Sequence, residues 1–149
     1  MTDAHSSDDP YRLARFVAAQ EGVYETALEE LQRGAKRSHW MWFVFPQVAG
    51  LGTSPMAVRF AMGSRVEAEV YLKHPLLGPR LRACAQALLG VSGRTAREVM
   101  GSRDDVKLKS SMTLFAAVSE PGSVFQAVLD RYYSGETDPR TIEFLAADG

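Results

Sequence analysis

Two short polar segments carry most of the side chains that could do chemistry in this chain. The first, residues 36–47, contains both tryptophans and one of the three histidines. Its candidate ligand-binding residues are Lys36, Arg37, His39, Trp40, Trp42 and Gln47. Aromatic side chains bury about 150–250 Å² each, so this cluster belongs in a core, an interface or a ligand cleft. The charged and amide groups beside it would need partners if they were buried, and this favours a cleft.

The second segment, residues 104–113, brings two carboxylates, two ammonium groups and three hydroxyls to a predicted helix start. Backbone N–H groups at a helix start favour anions, and lysine and serine side chains extend that preference to phosphate. A carboxylate beside a sugar C1′ could stabilise an oxocarbenium ion or activate water, and a lysine could form an imine with an opened ribose. The candidate catalytic residues are therefore Asp104, Asp105 and Lys107. The candidate phosphate ligands are Lys109, Ser110 and Ser111.

These residues also have structural interpretations. Trp40 and Trp42 lie two positions apart, on different sides of a helix or on one side of a strand, and both are compatible with core packing. His39 is compatible with a hydrogen-bonding role, Asp104 with a helix cap, and the lysines of the second segment with a solvated face. Whether the two segments meet in one cleft separates the functional interpretation from the structural one.

Helical spacing and capping signals run along the whole chain. Asp9-Pro10 predicts the first helix start, Gly22 a break, and Gly34 a stop before the first polar segment. Further starts are predicted by four signals: Ser54-Pro55, Ser64…Glu67, Thr95…Glu98 and Asp138-Pro139. The strand-like run at residues 42–44 is too short to build a sheet. We predict an all-α fold of about seven to nine mostly short helices.

The length fits one domain with its own core. A chain of 149 residues can bury a sizeable core without disulfides or metals. Residues 10–149 are predicted to form a single helical domain, and residues 1–9 a flexible tail because they are polar. Helical spacing predicts that the buried residues include Phe16, Leu28, Leu81, Leu88, Phe115, Phe125 and Leu129.

Charge and composition exclude several classes of partner. The chain has 17 Lys plus Arg and 18 Asp plus Glu, a net charge of −1, so no global field attracts nucleic acid. The single Cys84 and three widely spaced histidines provide no disulfide and no metal-ligand spacing, so neither a metal nor a cofactor is expected. No apolar run reaches the ~18 residues that span a bilayer, and no signal peptide is evident. We therefore expect a cytoplasmic protein without a membrane partner.

Three strings of this chain carry a resemblance to a known family, and the first of them is long and chemically unusual. They are His39-Trp40-Met41-Trp42 followed by Phe45-Pro46-Gln47, then Gly50-Leu51-Gly52, and His74-Pro75-Leu76-Leu77-Gly78. With Arg15–Gln20 and Asp105–Phe115, they resemble the bacterial family called domain of unknown function 1810. The resemblance covers nearly the whole chain and implies a compact, mainly helical cytoplasmic domain.

The tryptophan segment and the Asp/Lys/Ser segment together are also similar, more distantly, to the NADAR proteins. Those proteins are associated with cleaving N-glycosidic bonds of ADP-ribose-type and riboflavin-pathway nucleotides. The likeness implies that the chain binds a nucleotide or an ADP-ribose-like substrate and hydrolyses its N-glycosidic bond. The chain lacks their Glu-His-Tyr-Phe motif, so no catalytic residue is carried over from them. The alternative is a non-catalytic module that binds a ligand or an unidentified protein partner through the same cleft.

Overall fold

The computed structural model describes residues 9–148 and folds them into ten α-helices. In chain order these are α1 (Ala14–Gln20), α2 (Tyr24–Gln32), α3 (Met41–Val44), α4 (Pro55–Arg59), α5 (Arg65–Lys73), α6 (Leu77–Leu89), α7 (Ala96–Met100), α8 (Asp104–Ala117), α9 (Val124–Tyr133) and α10 (Pro139–Asp148). Over this range there is no strand, and Val48 and Met62 form an isolated parallel bridge. The predicted all-α fold is confirmed. The predicted tail, residues 1–9, lies outside the described residues except for Asp9.

Four of the five predicted start signals coincide with helix starts: Ser54-Pro55, Ser64…Glu67, Thr95…Glu98 and Asp138-Pro139. The side chain of Ser54 accepts a hydrogen bond at the start of α4, and that of Ser64 does so at the start of α5. Thr95 and Glu98 form a complete capping box at the start of α7. These bonds satisfy N–H groups that have no partner within the helix. The ten described helices exceed the upper end of the predicted range of about seven to nine by one, because residues 41–44 form a single helical turn where only a strand-like run was evident.

The first helix begins later than the Asp9-Pro10 signal predicts. The carboxylate of Asp9 accepts hydrogen bonds from the N–H groups of Leu13 and Ala14 at 2.7 and 2.9 Å, so it still caps α1 from a preceding turn. Gly22, at φ 73°, separates α1 from α2, and Gly34, at φ 75°, follows the end of α2. Glycine adopts such left-handed conformations without the steric cost of a Cβ atom.

Helix α8 lies at the centre of the domain and packs against α5, α7, α9 and α10. Residues 110–115 are six consecutive buried positions, so this part of the helix is enclosed on all sides. Such a helix shows no amphipathic stripe in its sequence. The predicted core residues are buried with one exception: Leu28 on α2 is half-buried and packs at the edge of the core.

The loop at residues 49–61 contains α4 and is closed at its base. The backbone N–H of Ala49 donates to the carbonyl of Met62 at 2.9 Å, and the N–H of Met62 donates to the carbonyl of Gln47 at 2.8 Å. These bonds hold the loop beside the start of α8 and the start of α10. No helix in residues 9–148 is both long enough and apolar enough to span a bilayer.

Candidate functional site

A cleft of about 520 Å³ lies where the loop at residues 49–61 faces the first turns of α8. Its lining comes from α3, this loop, α8 and the start of α10: Trp42, Gln47, Leu51, Gly52, Thr53, Ser54, Ala57, Arg103, Val106, Lys107, Ser110, Asp138 and Arg140. Small-molecule pockets typically enclose about 300–1,000 Å³, so this volume suits a ligand. The two polar segments of the sequence meet here.

A larger groove of about 650 Å³ lies among α5, α6 and the loop before α9. Its charged lining residues are Glu69, Lys73, Arg82 and Glu120, so positive and negative groups balance. It contains none of the predicted site residues. The smaller cleft is therefore the better candidate site.

Four predicted site residues line this cleft: Trp42, Gln47, Lys107 and Ser110. The Nζ atom of Lys107 lies 5.6 Å from the ring centroid of Trp42, so a cation adjoins an indole face. The Lys107 side chain is 34% exposed, and Trp42 is half-buried. Ser110 is almost fully buried, and its Oγ donates to the carbonyl of Val106 at 3.3 Å. Trp42 and Lys107 are therefore a neighbouring ring and cation that a ligand in the cleft could contact.

Trp40 is a core residue. Its ring is fully buried, and the centroid lies 6.1 Å from that of Phe45. Its Nε1–H donates to Oε1 of Glu30 at 2.8 Å, which satisfies the indole donor inside the protein. The structural interpretation applies to Trp40, and the cleft-lining position belongs to Trp42.

Glu30 on α2 holds the start of the tryptophan segment. Besides Trp40, its carboxylate accepts hydrogen bonds from the N–H groups of Arg37 and Ser38 at 2.9 and 3.0 Å, and from the Ser38 hydroxyl. Burial alone would raise the pKa of Glu30, but these hydrogen bonds outweigh burial and lower its pKa to about 2. Glu30 is therefore an ionised internal anchor. No motif in the sequence marks it out from the other glutamates of α2.

Asp104 lies between two lysines and joins the two polar segments. Its Oδ2 is 2.9 Å from Nζ of Lys36, and its Oδ1 is 3.5 Å from Nζ of Lys107. The Lys36 side chain is 7% exposed, donates to the carbonyl of Ser38 at 2.6 Å and lies 4.9 Å from the ring centroid of Trp40. Asp104 is the first residue of α8, and neither it nor Lys36 lines the cleft. The carboxylate of Asp104 therefore links Lys36, in the first segment, to Lys107 at the edge of the cleft.

The remaining predicted site residues also lie outside the cleft lining: Arg37, His39, Asp105, Lys109 and Ser111. Arg37 and His39 are exposed, and Asp105 is half-buried. Lys109 pairs with Glu136 at 3.4 Å. Ser111 is fully buried, and its Oγ has no hydrogen-bond partner within residues 9–148. Successive residues of a helix point in different directions. Of the predicted residues in Asp104–Ser111, only Lys107 and Ser110 therefore face the cleft.

Two arginines that were not predicted from the sequence, Arg103 and Arg140, also line the cleft. Arg103 precedes α8 at φ 77° and ψ −45°, a conformation that costs a non-glycine residue about 1–3 kcal/mol. Arg140 on α10 donates from Nη2 to the carbonyl of Gly50 at 3.1 Å, linking α10 to the loop. Within residues 9–148 neither arginine forms an ion pair. The signal at Asp138-Pro139 marks the start of α10 but not its approach to Gly50.

The cleft is locally cationic although the chain carries a net charge of −1. Arg103, Lys107 and Arg140 line it, together with one carboxylate, Asp138. Oδ2 of Asp138 accepts hydrogen bonds from the N–H and the hydroxyl of Thr141 at 3.0 and 2.6 Å. Across the described range, no cluster of His, Cys, Asp and Glu side chains suits a metal ion. The arrangement favours an anion that carries a flat ring.

Comparisons with known proteins give a family and a solved structure. Residues 10–145 match the family described as protein of unknown function DUF1810. The crystal structure of the conserved hypothetical protein Rv1873 from Mycobacterium tuberculosis is similar, with a TM-score of 0.91 and 53% sequence identity. That match covers 93% of this chain and 99% of the other. No curated protein matches this chain.

Proposed function

The chain belongs to the DUF1810 family, and we propose that it binds an anionic nucleotide in the cleft between Trp42 and Lys107. The observation that carries this proposal is the 5.6 Å separation between the Lys107 ammonium and the Trp42 ring centroid. An indole face provides a stacking surface for a base, and an ammonium group beside it binds phosphate through charge-assisted hydrogen bonds. Arg103 and Arg140 add two further donors for phosphate along the same cleft.

Hydrolysis of the N-glycosidic bond is a second candidate function, favoured by the presence of Asp138 in the cleft lining. Such a reaction needs a carboxylate near the sugar C1′ to stabilise positive charge or activate water. Asp104, the first carboxylate of the second segment, lies outside the lining and is shared by two lysines. The contacts therefore support binding more directly than catalysis.

The binding proposal is tested by calorimetric titration of the protein with AMP, ADP-ribose, NAD and riboflavin precursors. Lys107→Ala should weaken binding by about 1.5–3 kcal/mol, the value of a hydrogen bond to a charged group. Lys109→Ala is the matched control, because it removes the same charge two residues along α8 but outside the cleft. Its effect should stay below about 0.5 kcal/mol.

Two results would contradict the proposal. Absence of heat across the whole panel would favour the protein-interaction alternative. Equal weakening by Lys107→Ala and Lys109→Ala would mean that general electrostatic attraction, not the cleft, accounts for binding. For hydrolysis, release of free base or nicotinamide that Asp138→Asn abolishes would support catalysis, and intact ligand after prolonged incubation would exclude it for these substrates.

A further inference from the structure

A second cavity adjoins the cleft on the other side of Arg140. This cavity, of about 260 Å³, lies between the base of the loop and α10, and Glu143 and Phe144 are among its lining residues. Leu51 and Arg140 line both cavities, so they form the boundary between them. The two cavities are therefore adjacent.

Charge is divided between the two cavities. The first cavity has Arg103 and Lys107 among its lining residues, and Arg140 lies at the boundary. The second cavity has Glu143 as its carboxylate and Phe144, which is half-buried, as its aromatic residue. A carboxylate accepts hydrogen bonds from hydroxyls and attracts cations, but it repels phosphate. The phosphate groups of a ligand are therefore expected in the first cavity or beside Arg140.

We propose that the ligand is a nucleoside diphosphate esterified to a second, hydroxyl-rich or cationic ring, with that ring against Phe144 and Glu143. The base would lie on Trp42, and the diphosphate between Lys107 and Arg140. This inference rests on the proposed nucleotide-binding function and makes it narrower. It assigns Glu143 and Phe144 as residues that select a ligand longer than a simple nucleoside diphosphate.

The test compares ADP with ADP-ribose in calorimetric titrations of the whole protein. ADP-ribose carries a second ring with free hydroxyls, so it should bind about tenfold or more tightly than ADP, as expected for new hydrogen bonds to a charged group. Glu143→Gln should reduce this preference several-fold and leave the affinity for ADP unchanged. Glu143 is exposed, so the variant keeps the fold. Glu136→Gln, which removes an exposed carboxylate outside both cavities, should leave the preference intact.

The outcomes separate this inference from the proposed function. Equal affinities for ADP and ADP-ribose would overturn the second-ring proposal while leaving nucleotide binding in place. A preference for ADP-ribose that survives both Glu143→Gln and Phe144→Leu would also overturn it. Failure of both ligands to bind would overturn the proposed function together with this extension.

Discussion

Trp40 donates its indole N–H to Oε1 of Glu30 at 2.8 Å, and this hydrogen bond joins α2 to the residue just before α3. Trp42 is the second residue of α3, so its place in the cleft depends on that link. Glu30 itself lies outside the cleft lining. A side chain available to a ligand is thus positioned by an ionised group in the interior.

Replacement of Glu30 by Gln should destabilise the fold and remove part of its acid sensitivity. The pKa of Glu30 falls from 4.5 to about 2 on folding, so the carboxylate contributes about 3 kcal/mol of stability at neutral pH. Because the folded-state pKa is lowered, this contribution is present above pH 4.5 and is lost as the pH falls toward 2. Urea unfolding of the unmodified protein and of Glu30→Gln, at pH 7 and at pH 3, measures this contribution.

Glu29→Gln serves as the control for that experiment. Glu29 lies on the same helix, is well exposed, and pairs with Arg33 at 3.9 Å. Its replacement should change the free energy of unfolding by less than about 0.5 kcal/mol. Similar losses for the two variants would show that Glu30 does not act through its internal hydrogen bonds.

The two tryptophans should respond differently to truncation. Trp40→Ala removes a fully buried ring and should cost about 3–5 kcal/mol of stability. Trp42→Ala should leave most of the stability but weaken nucleotide binding by about 1–3 kcal/mol, the value of one base–aromatic stack. Denaturant unfolding and titration measure the two effects. Nucleotide should also quench the tryptophan fluorescence of the unmodified protein, and quenching that persists in Trp42→Phe would contradict stacking on Trp42.

Arg103→Gly should separate stability from binding. Glycine adopts φ 77° without strain, so the variant should gain about 1 kcal/mol in the free energy of unfolding after its own entropic cost. The same change removes a cation from the cleft and should weaken nucleotide binding. Ser134→Gly relieves a similar positive φ of 56° outside the cleft and should leave binding unchanged. Denaturant unfolding measures the change in stability of the two variants, and calorimetric titration measures the change in their affinity for nucleotide.

Asp104→Asn should reduce stability and strengthen anion binding. It leaves the nearly buried Lys36 ammonium without its carboxylate partner, which should cost about 1–3 kcal/mol. It also removes a negative charge 3.5 Å from Lys107, so the cleft becomes more positive. Titration should therefore show higher affinity for ADP-ribose at low salt. A weaker affinity would mean that Asp104 is needed to hold Lys107 in place.

Local signals in the sequence predicted the fold well, and the tertiary arrangement of the site less well. Ser54, Ser64 and Thr95 mark helix starts because a cap acts within three residues of itself. The different surroundings of Trp40 and Trp42 depend on Glu30, ten residues before Trp40, and no local pattern reveals that bond.

The cationic lining of the cleft also depends on distant parts of the chain. Arg140 reaches Gly50 across 90 positions, and its approach follows from how α10 packs on α8. Arg103 enters the site through a positive φ that its residue type does not indicate. Lys107 was predicted because its chemistry and its position at a helix start could both be inferred from neighbouring residues.

The bridge between Val48 and Met62 closes the base of the loop at residues 49–61. Its two ends are fixed by backbone hydrogen bonds, and its buried Phe60 packs against Phe43 of α3, with the ring centroids 5.4 Å apart. Residues 51–54 of that loop form one wall of the cleft. Substitutions confined to residues 51–54 should therefore alter this wall, and under the proposed function the choice of ligand, while Trp42 and the cations keep their positions.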